Sequence, residues 1–160
     1  LFKELCDKKG IVSDGDIEAL IVDEILGNAT KKSFELRDFM VSIGAGGKGS
    51  ATVVLSDGEK TASDAAIGNG PVDAAYKAIQ RIIGIEPELV SYKISAVSER
   101  SDAVGEAMVV IKLKEILAQG RGASTDVIEA SIKAYINAIN RTIQIAEARG
   151  INILPQCVPA

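Results

Sequence analysis

Histidine is absent from all 160 residues of this chain, which removes the commonest general base and metal ligand of proteins. Tryptophan is also absent, and aromatic residues make up only 4% of the chain, so platforms for stacking nucleic-acid bases are scarce. Acidic side chains outnumber basic ones, and the formal net charge is −4. Because a phosphate backbone is bound by clustered Lys and Arg, a nucleic-acid partner is disfavoured.

Cysteine is equally scarce, with Cys6 and Cys157 standing near opposite ends of the chain. Neither has a neighbouring general base, so we expect free thiols in a reducing cytoplasm rather than a nucleophile. No signal peptide is visible, and no apolar run is long enough to cross a bilayer. We therefore expect a cytoplasmic protein without a membrane partner.

Glycine, in contrast, stands at positions that organise the chain, whose composition of 47% hydrophobic and 25% charged residues is that of a globular domain. Gly68 and Gly70 follow a predicted strand, and Pro71 fits the first position of a helix because that position needs no N–H donor. Apolar residues then recur at helical spacing as far as Gly84, which is expected to end the helix. This loop presents the free N–H groups of a helix start to another molecule.

The same pattern occurs twice in the chain. Gly120 and Gly122 repeat Gly68 and Gly70 at an offset of 52 residues, and we interpret them as a second glycine loop before a second helix. Four further positions match at an offset of 53, namely Leu36, Phe39, Val41 and Ile43 with Leu89, Tyr92, Ile94 and Ala96. The sequence therefore predicts an α+β fold with internally duplicated βββα units, forming a pseudo-twofold sandwich of two sheets and two helices.

The boundaries follow from this repeat. We expect a helical linker subdomain over residues 1–33, as the end of a larger catalytic chain, the duplicated domain over 34–148, and a C-terminal tail over 149–160. The two repeats cover about 34–84 and 87–148. The predicted strands are 34–43, 50–55 and 60–67 in the first repeat, and 88–97, 105–113 and 116–119 in the second. The second helix is expected to be capped by Ser124 or Thr125 and to run to Ala148.

The sequence disfavours catalysis by the residues of this chain. The stretch Gly44–Gly49 superficially resembles a phosphate-binding loop, but Lys48 is followed by glycine where Ser or Thr is needed, so we reject a nucleotide site. Asp73 and Asp126 fall in the first turns of predicted helices, where the helix dipole favours a carboxylate without any catalytic role. Binding is the better hypothesis, and we expect no cofactor and no metal in these residues.

Three stretches of the chain are distinctive in combination. They are Gly68-Asn69-Gly70-Pro71-Val72-Asp73-Ala74-Ala75, Asp102-Ala103-x-Gly105-Glu106, and the segment from Gly120 through Ser124-Thr125-Asp126-Val127 to Asn137-Ala138. Together they resemble the C-terminal regulatory domain of 2-isopropylmalate synthase, a leucine-sensing, allosteric dimer domain. The similarity covers roughly residues 34–141. The corresponding domains of citramalate and homocitrate synthases are similar enough to remain alternatives.

The resemblance implies a role for a longer protein. The full chain would be an acyltransferase that condenses acetyl-CoA with 2-oxoisovalerate on a divalent-metal barrel of the same chain. This domain would form a homodimer and bind leucine, the end product, as a feedback inhibitor. Isoleucine sensing in a citramalate synthase, or dimerisation without any effector, are the alternatives, and catalysis by these residues alone is not expected.

The resemblance also implies an effector pocket. Its residues would be Gly68, Asn69, Gly70, Val72, Asp73, Leu89, Tyr92, Ala96, Ala103, Gly105 and Ala123. A helix N-terminus would supply donors to the effector carboxylate, and loop carbonyls or Asp73 would accept from its ammonium group. Because Leu89, Tyr92 and Ala96 are spaced by three and four residues, they cannot share one face of a regular strand, and we expect a bulge there.

Overall fold

The computed structural model describes residues 33–96 and 104–154. Their elements are β1 (Glu35–Ile43), β2 (Gly49–Ser56), β3 (Thr61–Gly68), α1 (Pro71–Ile83), β4 (Glu88–Ala96), β5 (Gly105–Leu113), β6 (Ile116–Ser124) and α2 (Val127–Ala148), with one 3-10 turn at Ala45–Gly47. The strands form two antiparallel sheets, β1-β2-β3 and β4-β5-β6. The predicted α+β fold with two βββα units is confirmed. The helical linker stays a prediction, because residues 1–32 lie outside the described residues.

The two sheets carry the same irregularity at the same place. The register of β1 on β2 shifts between Leu36 and Asp38, and that of β4 on β5 shifts between Leu89 and Ser91. These positions differ by 53 residues, which is the offset of the sequence repeat. A bulge adds one residue to a strand and thereby changes which side chains share a face. Two bulges at equivalent positions support the internal duplication.

Both units contribute to one hydrophobic core. The middle strands β2 and β5 alternate, and their inward side chains are fully buried. Helix α1 packs on β2 and β3, whereas α2 packs on β5 and β6. The buried core includes Ala51, Val53, Leu55, Ile79, Val109, Ile111, Ile132, Tyr135, Ile139 and Ile143. Burial of each large aliphatic side chain stabilises the fold by about 1.5–3 kcal/mol.

The ends of α1 are those predicted. Gly70 is the N-cap, Pro71 is the first helical residue, and Gly84 follows the last one. Gly84 adopts a left-handed conformation with φ 84°, and its N–H donates to the Gln80 carbonyl at 2.7 Å. Glycine meets this requirement at little cost because it has no Cβ.

The start of α2 differs from the prediction. Asp126 is the N-cap, and its Oδ1 accepts from the Ile128 N–H at 2.9 Å. The prediction of Ser124 or Thr125 as the cap is wrong, because β6 continues to Ser124. The Ser124 hydroxyl instead accepts from the Asp126 N–H at 3.1 Å and donates to the Glu129 carboxylate at 2.6 Å.

The second glycine pair has a different role from the one predicted. Gly120 and Gly122 lie inside β6, so the predicted glycine loop at the entrance of the second helix is wrong. A Cβ at either position would come closer than 3.0 Å to backbone atoms of α2. The missing side chains let the helix lie directly on the strand, and this tertiary requirement explains two glycines in a strand interior.

The described part of the tail is attached to the fold. The Ile151 N–H donates to the Ala146 carbonyl at 2.8 Å, and Ile153 and Leu154 pack against the core. The predicted extent of α2 to Ala148 is confirmed. Among the residues described, no helix has the length and apolarity needed to cross a bilayer.

Candidate functional site

The junction of β3 and α1 leaves the first turn of the helix accessible. The first helical N–H groups of any α-helix lack partners within it. The N-cap Gly70 provides no side-chain hydrogen bond, and a Cβ built on it would meet nothing within 4 Å. Its extended backbone, with φ 169°, does not require glycine either. The space above this turn is therefore open to an approaching molecule.

Asp73 is engaged by its own loop. Its Oδ2 accepts from the Asn69 N–H at 2.9 Å and lies 3.2 Å from the Lys77 ammonium. The Asn69 hydrogen bond is the main cause that holds the pKa of the Asp73 carboxyl below its usual value; burial opposes it, and Lys77 lowers the pKa further. Asp73 therefore stays ionised and holds the loop in place. Its use as an acceptor for an effector ammonium group remains a prediction.

Strand β4 presents an apolar face beside the helices. Because of the bulge, Leu89 and Tyr92 both pair with inward residues of β5, namely Ile111 and Val109, and so share one face. The predicted bulge is confirmed. Leu89 is 46% exposed and Tyr92 36% exposed, since α2 lies over β5 and β6 and leaves this edge strand uncovered.

Ser131 on α2 joins this strand to both helices. Its hydroxyl donates to the Val127 carbonyl at 2.8 Å, so the Tyr92 hydroxyl, 2.5 Å away, is the donor to Ser131 Oγ. The Tyr76 hydroxyl on α1 donates to the Ser131 carbonyl at 2.9 Å. A displacement of Tyr92 would therefore change the packing at the interface of α1 and α2.

The remaining predicted residues are not all brought together. Ala96 pairs with Gly105 at the end of the sheet, whereas Ala103 lies outside the described residues. Ala123 pairs with Glu106 and so points to the sheet face opposite to that of Tyr92. Within one chain, Ala123 is therefore separated from the predicted pocket by the thickness of the sheet.

A second concavity lies between β1 and α2. It has a volume of about 550 Å³ and includes only Ala123 of the predicted residues. Its walls are charged and aromatic, in contrast with the β3–α1 loop. Across the described ranges 33–96 and 104–154, no three His, Cys, Asp or Glu side chains are grouped so that they could share a metal ion.

Comparison with known proteins decides the family. The family model described as the LeuA allosteric (dimerisation) domain matches residues 11–143. The chain belongs to this family. The match begins before β1 and covers the first βββα unit and the second as far as residue 143 within α2.

Several proteins similar to this LeuA-type domain are 2-isopropylmalate synthases. A 2-isopropylmalate synthase of Ruminiclostridium cellulolyticum is 46% identical over 142 residues, which is 89% of this chain and 27% of the relative. The 2-isopropylmalate synthase of Carboxydothermus hydrogenoformans is 46% identical over 153 residues, which is 93% of this chain and 29% of the relative. The 2-isopropylmalate synthase of Aquifex aeolicus is 44% identical over 142 residues, which is 89% of this chain and 27% of the relative. The chain thus spans between a quarter and a third of the length of these relatives.

Sequence reasoning missed two residues beside the predicted LeuA-type site. Ile94 lies on the same face of β4 as Tyr92 and is 46% exposed. It was detectable, because it belongs to the repeat at the offset of 53, where it matches Val41. Ser131 was not detectable, since a serine in the middle of a helix gives no signal of a partner on another strand.

Proposed function

We propose that this chain is the leucine-responsive regulatory domain of a 2-isopropylmalate synthase. The supporting observation is the open first turn of α1, where Gly70 leaves space that the fold itself does not require. The family and the name of the relatives support the same assignment. On this proposal the longer protein condenses acetyl-CoA with 2-oxoisovalerate on a catalytic barrel, and this domain forms a homodimer.

The effector would be bound at the β3–α1 loop. The N–H groups of Val72 and Asp73 lie in the first turn, where the helix dipole and free donors favour a carboxylate. Loop carbonyls around Asn69 would accept from the ammonium group. The branched side chain would lie against the apolar face of β4, where Leu89, Tyr92 and Ile94 are exposed.

Binding there has a route to the rest of the domain. A ligand against β4 contacts the strand that Tyr92 ties to Ser131 at 2.5 Å. Ser131 in turn receives the Tyr76 hydroxyl from α1. A ligand that favours one position of Tyr92 would therefore bias the packing of the two helices, which is the differential contact that any allosteric effect requires.

Titration with branched-chain amino acids tests this proposal. Leucine should raise the melting temperature, because a ligand that binds only the folded state stabilises it. Leucine should bind more tightly than valine by about 10-fold or more, since a buried methylene is worth about 1–3 kcal/mol. Absence of both heat and thermal shift with millimolar leucine, isoleucine and valine would leave dimerisation without an effector as the function. Tightest binding of isoleucine would instead favour the citramalate synthase alternative.

A variant of the loop locates the site. Gly70→Asp fills the open space with an anion where the effector carboxylate is expected, so the leucine response should be lost. Thr125→Asp is the matched control, because it adds the same charge beside the start of α2 and Thr125 is exposed. An unchanged leucine affinity in Gly70→Asp would refute this placement of the site.

A further inference from the structure

The charged groove between β1 and α2 occupies the position that mirrors the predicted effector site. The internal repeat places Leu36 and Phe39 of β1 where Leu89 and Tyr92 stand in β4, whereas Gly122, which matches Gly70 in the sequence, lies inside β6. The groove is lined by residues of β1, β6 and α2, among them Leu36, Arg37, Phe39, Arg121, Gly122 and Ile136. Counterparts of two predicted effector residues, Leu89 and Tyr92, therefore line a concavity in the other half of the domain.

The groove differs from the predicted effector site in the space around its glycine, Gly122. A Cβ on Gly122 would lie 2.6 Å from the Ala134 nitrogen, so α2 already fills the space that is open at Gly70. A ligand in the groove would thus be held by side chains rather than by close approach to the backbone. The Asn137 amide fixes the strand beside it by donating to the Arg121 carbonyl at 2.6 Å.

The cations of the groove have unused donors. Arg121 lies 3.9 Å from the Glu106 carboxylate, and Arg37 lies 3.7 Å from that of Glu35. Both separations exceed the usual hydrogen-bond length of about 2.7–3.2 Å. A guanidinium group offers five donors in a planar fork that fits a carboxylate. Two such groups therefore line one groove without hydrogen bonds to their nearest carboxylates.

One acid of the groove is neutralised from within. The Glu129 carboxylate accepts from the Ser124 hydroxyl at 2.6 Å and lies 3.2 Å from the Lys133 ammonium. Asp38 accepts from the Phe39 N–H at 2.8 Å. That backbone bond leaves the charge of Asp38 in place, so the groove presents carboxylate acceptors beside its guanidinium donors.

The groove also offers apolar surface of limited size. Ile136 is 2% exposed, and Leu36 and Phe39 are half-buried against the core. A volume of about 550 Å³ accommodates a small molecule. A ligand with a charged head and a short hydrocarbon body would satisfy both the guanidinium groups and this apolar wall.

We propose that the groove between β1 and α2 is a second ligand site, which binds a small carboxylate with a short apolar body. Arg121 and Arg37 hold the carboxylate, and Leu36 with Phe39 contacts the apolar body. Two sources share this chemistry, namely an amino acid and its 2-oxo acid. For an amino acid, Glu35 and Asp38 are placed to accept from the ammonium group. The site is distinct from the leucine site proposed above and does not depend on it.

Two probes on the 160-residue chain test the groove, leucine and 4-methyl-2-oxopentanoate. Amide resonances in a ¹H–¹⁵N spectrum should shift at residues 35–39 and 121–123 during titration with at least one of them. Shifts with leucine alone identify a zwitterion site, and shifts with the oxo acid identify a carboxylate site. Absence of shifts in both segments with both probes overturns the proposal, whatever happens at Gly68–Gly70.

The variant Arg121→Gln tests the role of the guanidinium. Affinity at the groove should fall by about tenfold or more, as expected for loss of a charge-assisted pair. Arg81→Gln is the control, because Arg81 is exposed and pairs with Asp64 at 3.2 Å outside the groove. Gly70→Asp should leave the shifts at residues 121–123 in place. Equal affinity of Arg121→Gln and wild type at these residues would overturn the proposal.

Discussion

The ring of Tyr76 on α1 stacks on the ring of Tyr135 on α2, with centroids 4.0 Å apart and planes 10° from parallel. Each hydroxyl group has a partner on the opposite helix. Tyr76 donates to the Ser131 carbonyl, and Tyr135 accepts from the Gln80 amide, both at 2.9 Å. This buried contact joins the two βββα units.

Truncation of Tyr76 measures how much the stack contributes to stability. Tyr76→Phe keeps the ring and loses one hydrogen bond, so the free energy of unfolding should fall by about 1 kcal/mol. Tyr76→Ala removes the ring and should cost about 3–5 kcal/mol, as for other large aromatic truncations in a core. Urea denaturation, monitored by circular dichroism, distinguishes the two variants. Equal losses in both variants would show that the ring itself does not join the units.

The same tyrosines predict a loss of stability in alkali. Burial raises the pKa of the Tyr135 hydroxyl to about 12, while the Gln80 hydrogen bond acts in the lowering direction. Burial likewise raises the pKa of Tyr76. Because the unfolded chain ionises near pH 10, the contribution of Tyr135 is complete below pH 10 and is lost as the pH rises towards 12.

Denaturation of wild type and Tyr135→Phe between pH 9 and 12 checks this dependence. Phenylalanine cannot ionise, so the free energy of unfolding of the variant should decline less steeply over this interval. Parallel curves for the two proteins would contradict the contribution of Tyr135.

Alanine substitutions at two glycines that match in the sequence repeat, Gly122 and Gly70, should have unequal effects. Gly122→Ala drives a methyl group into the backbone of α2 and should cost about 1–3 kcal/mol or more. Gly70→Ala meets open space and should cost at most about 1 kcal/mol, the difference between Gly and Ala at an N-cap. Thermal denaturation of both variants compares them directly. Similar losses of stability in both variants would mean that the two glycines have the same structural role.

The cap of α2 can be assigned by mutation. Asp126→Ala removes the acceptor for the Ile128 N–H and should lower stability by about 1 kcal/mol. Thr125→Ala, at an exposed neighbour, should change it by less than about 0.5 kcal/mol. Chemical denaturation of the pair resolves the difference, and a larger loss for Thr125→Ala would place the cap one residue earlier.

Local signals in the sequence were sufficient to predict much of the fold. Pro71 and Gly84 mark the ends of α1 because each fits one backbone requirement of a helix terminus. The bulge in β4 was predicted from the spacing of Leu89 and Tyr92 together with the pocket that the family resemblance implies, because both residues must share a face for that pocket to form. Duplication was visible because both repeats kept their apolar positions.

Features that depend on distant partners were not predictable. Gly120 and Gly122 were predicted to form a loop because glycine weakens a strand. They are required within β6 because α2, which follows later in the chain, packs directly on them. The separation of Ala123 from Tyr92 follows from strand pairing that one sequence does not reveal. The groove beside Arg121 is formed by segments more than eighty residues apart, so no local pattern indicates it.

The tyrosine stack has a consequence for how the domain assembles. A polypeptide with one βββα unit would leave its half of the stack against water and would need to find a second copy in solution. In the tandem chain both halves are tethered, so their encounter is governed by effective concentration within one molecule. Formation of the core should therefore be independent of dilution, even where association between whole chains is not.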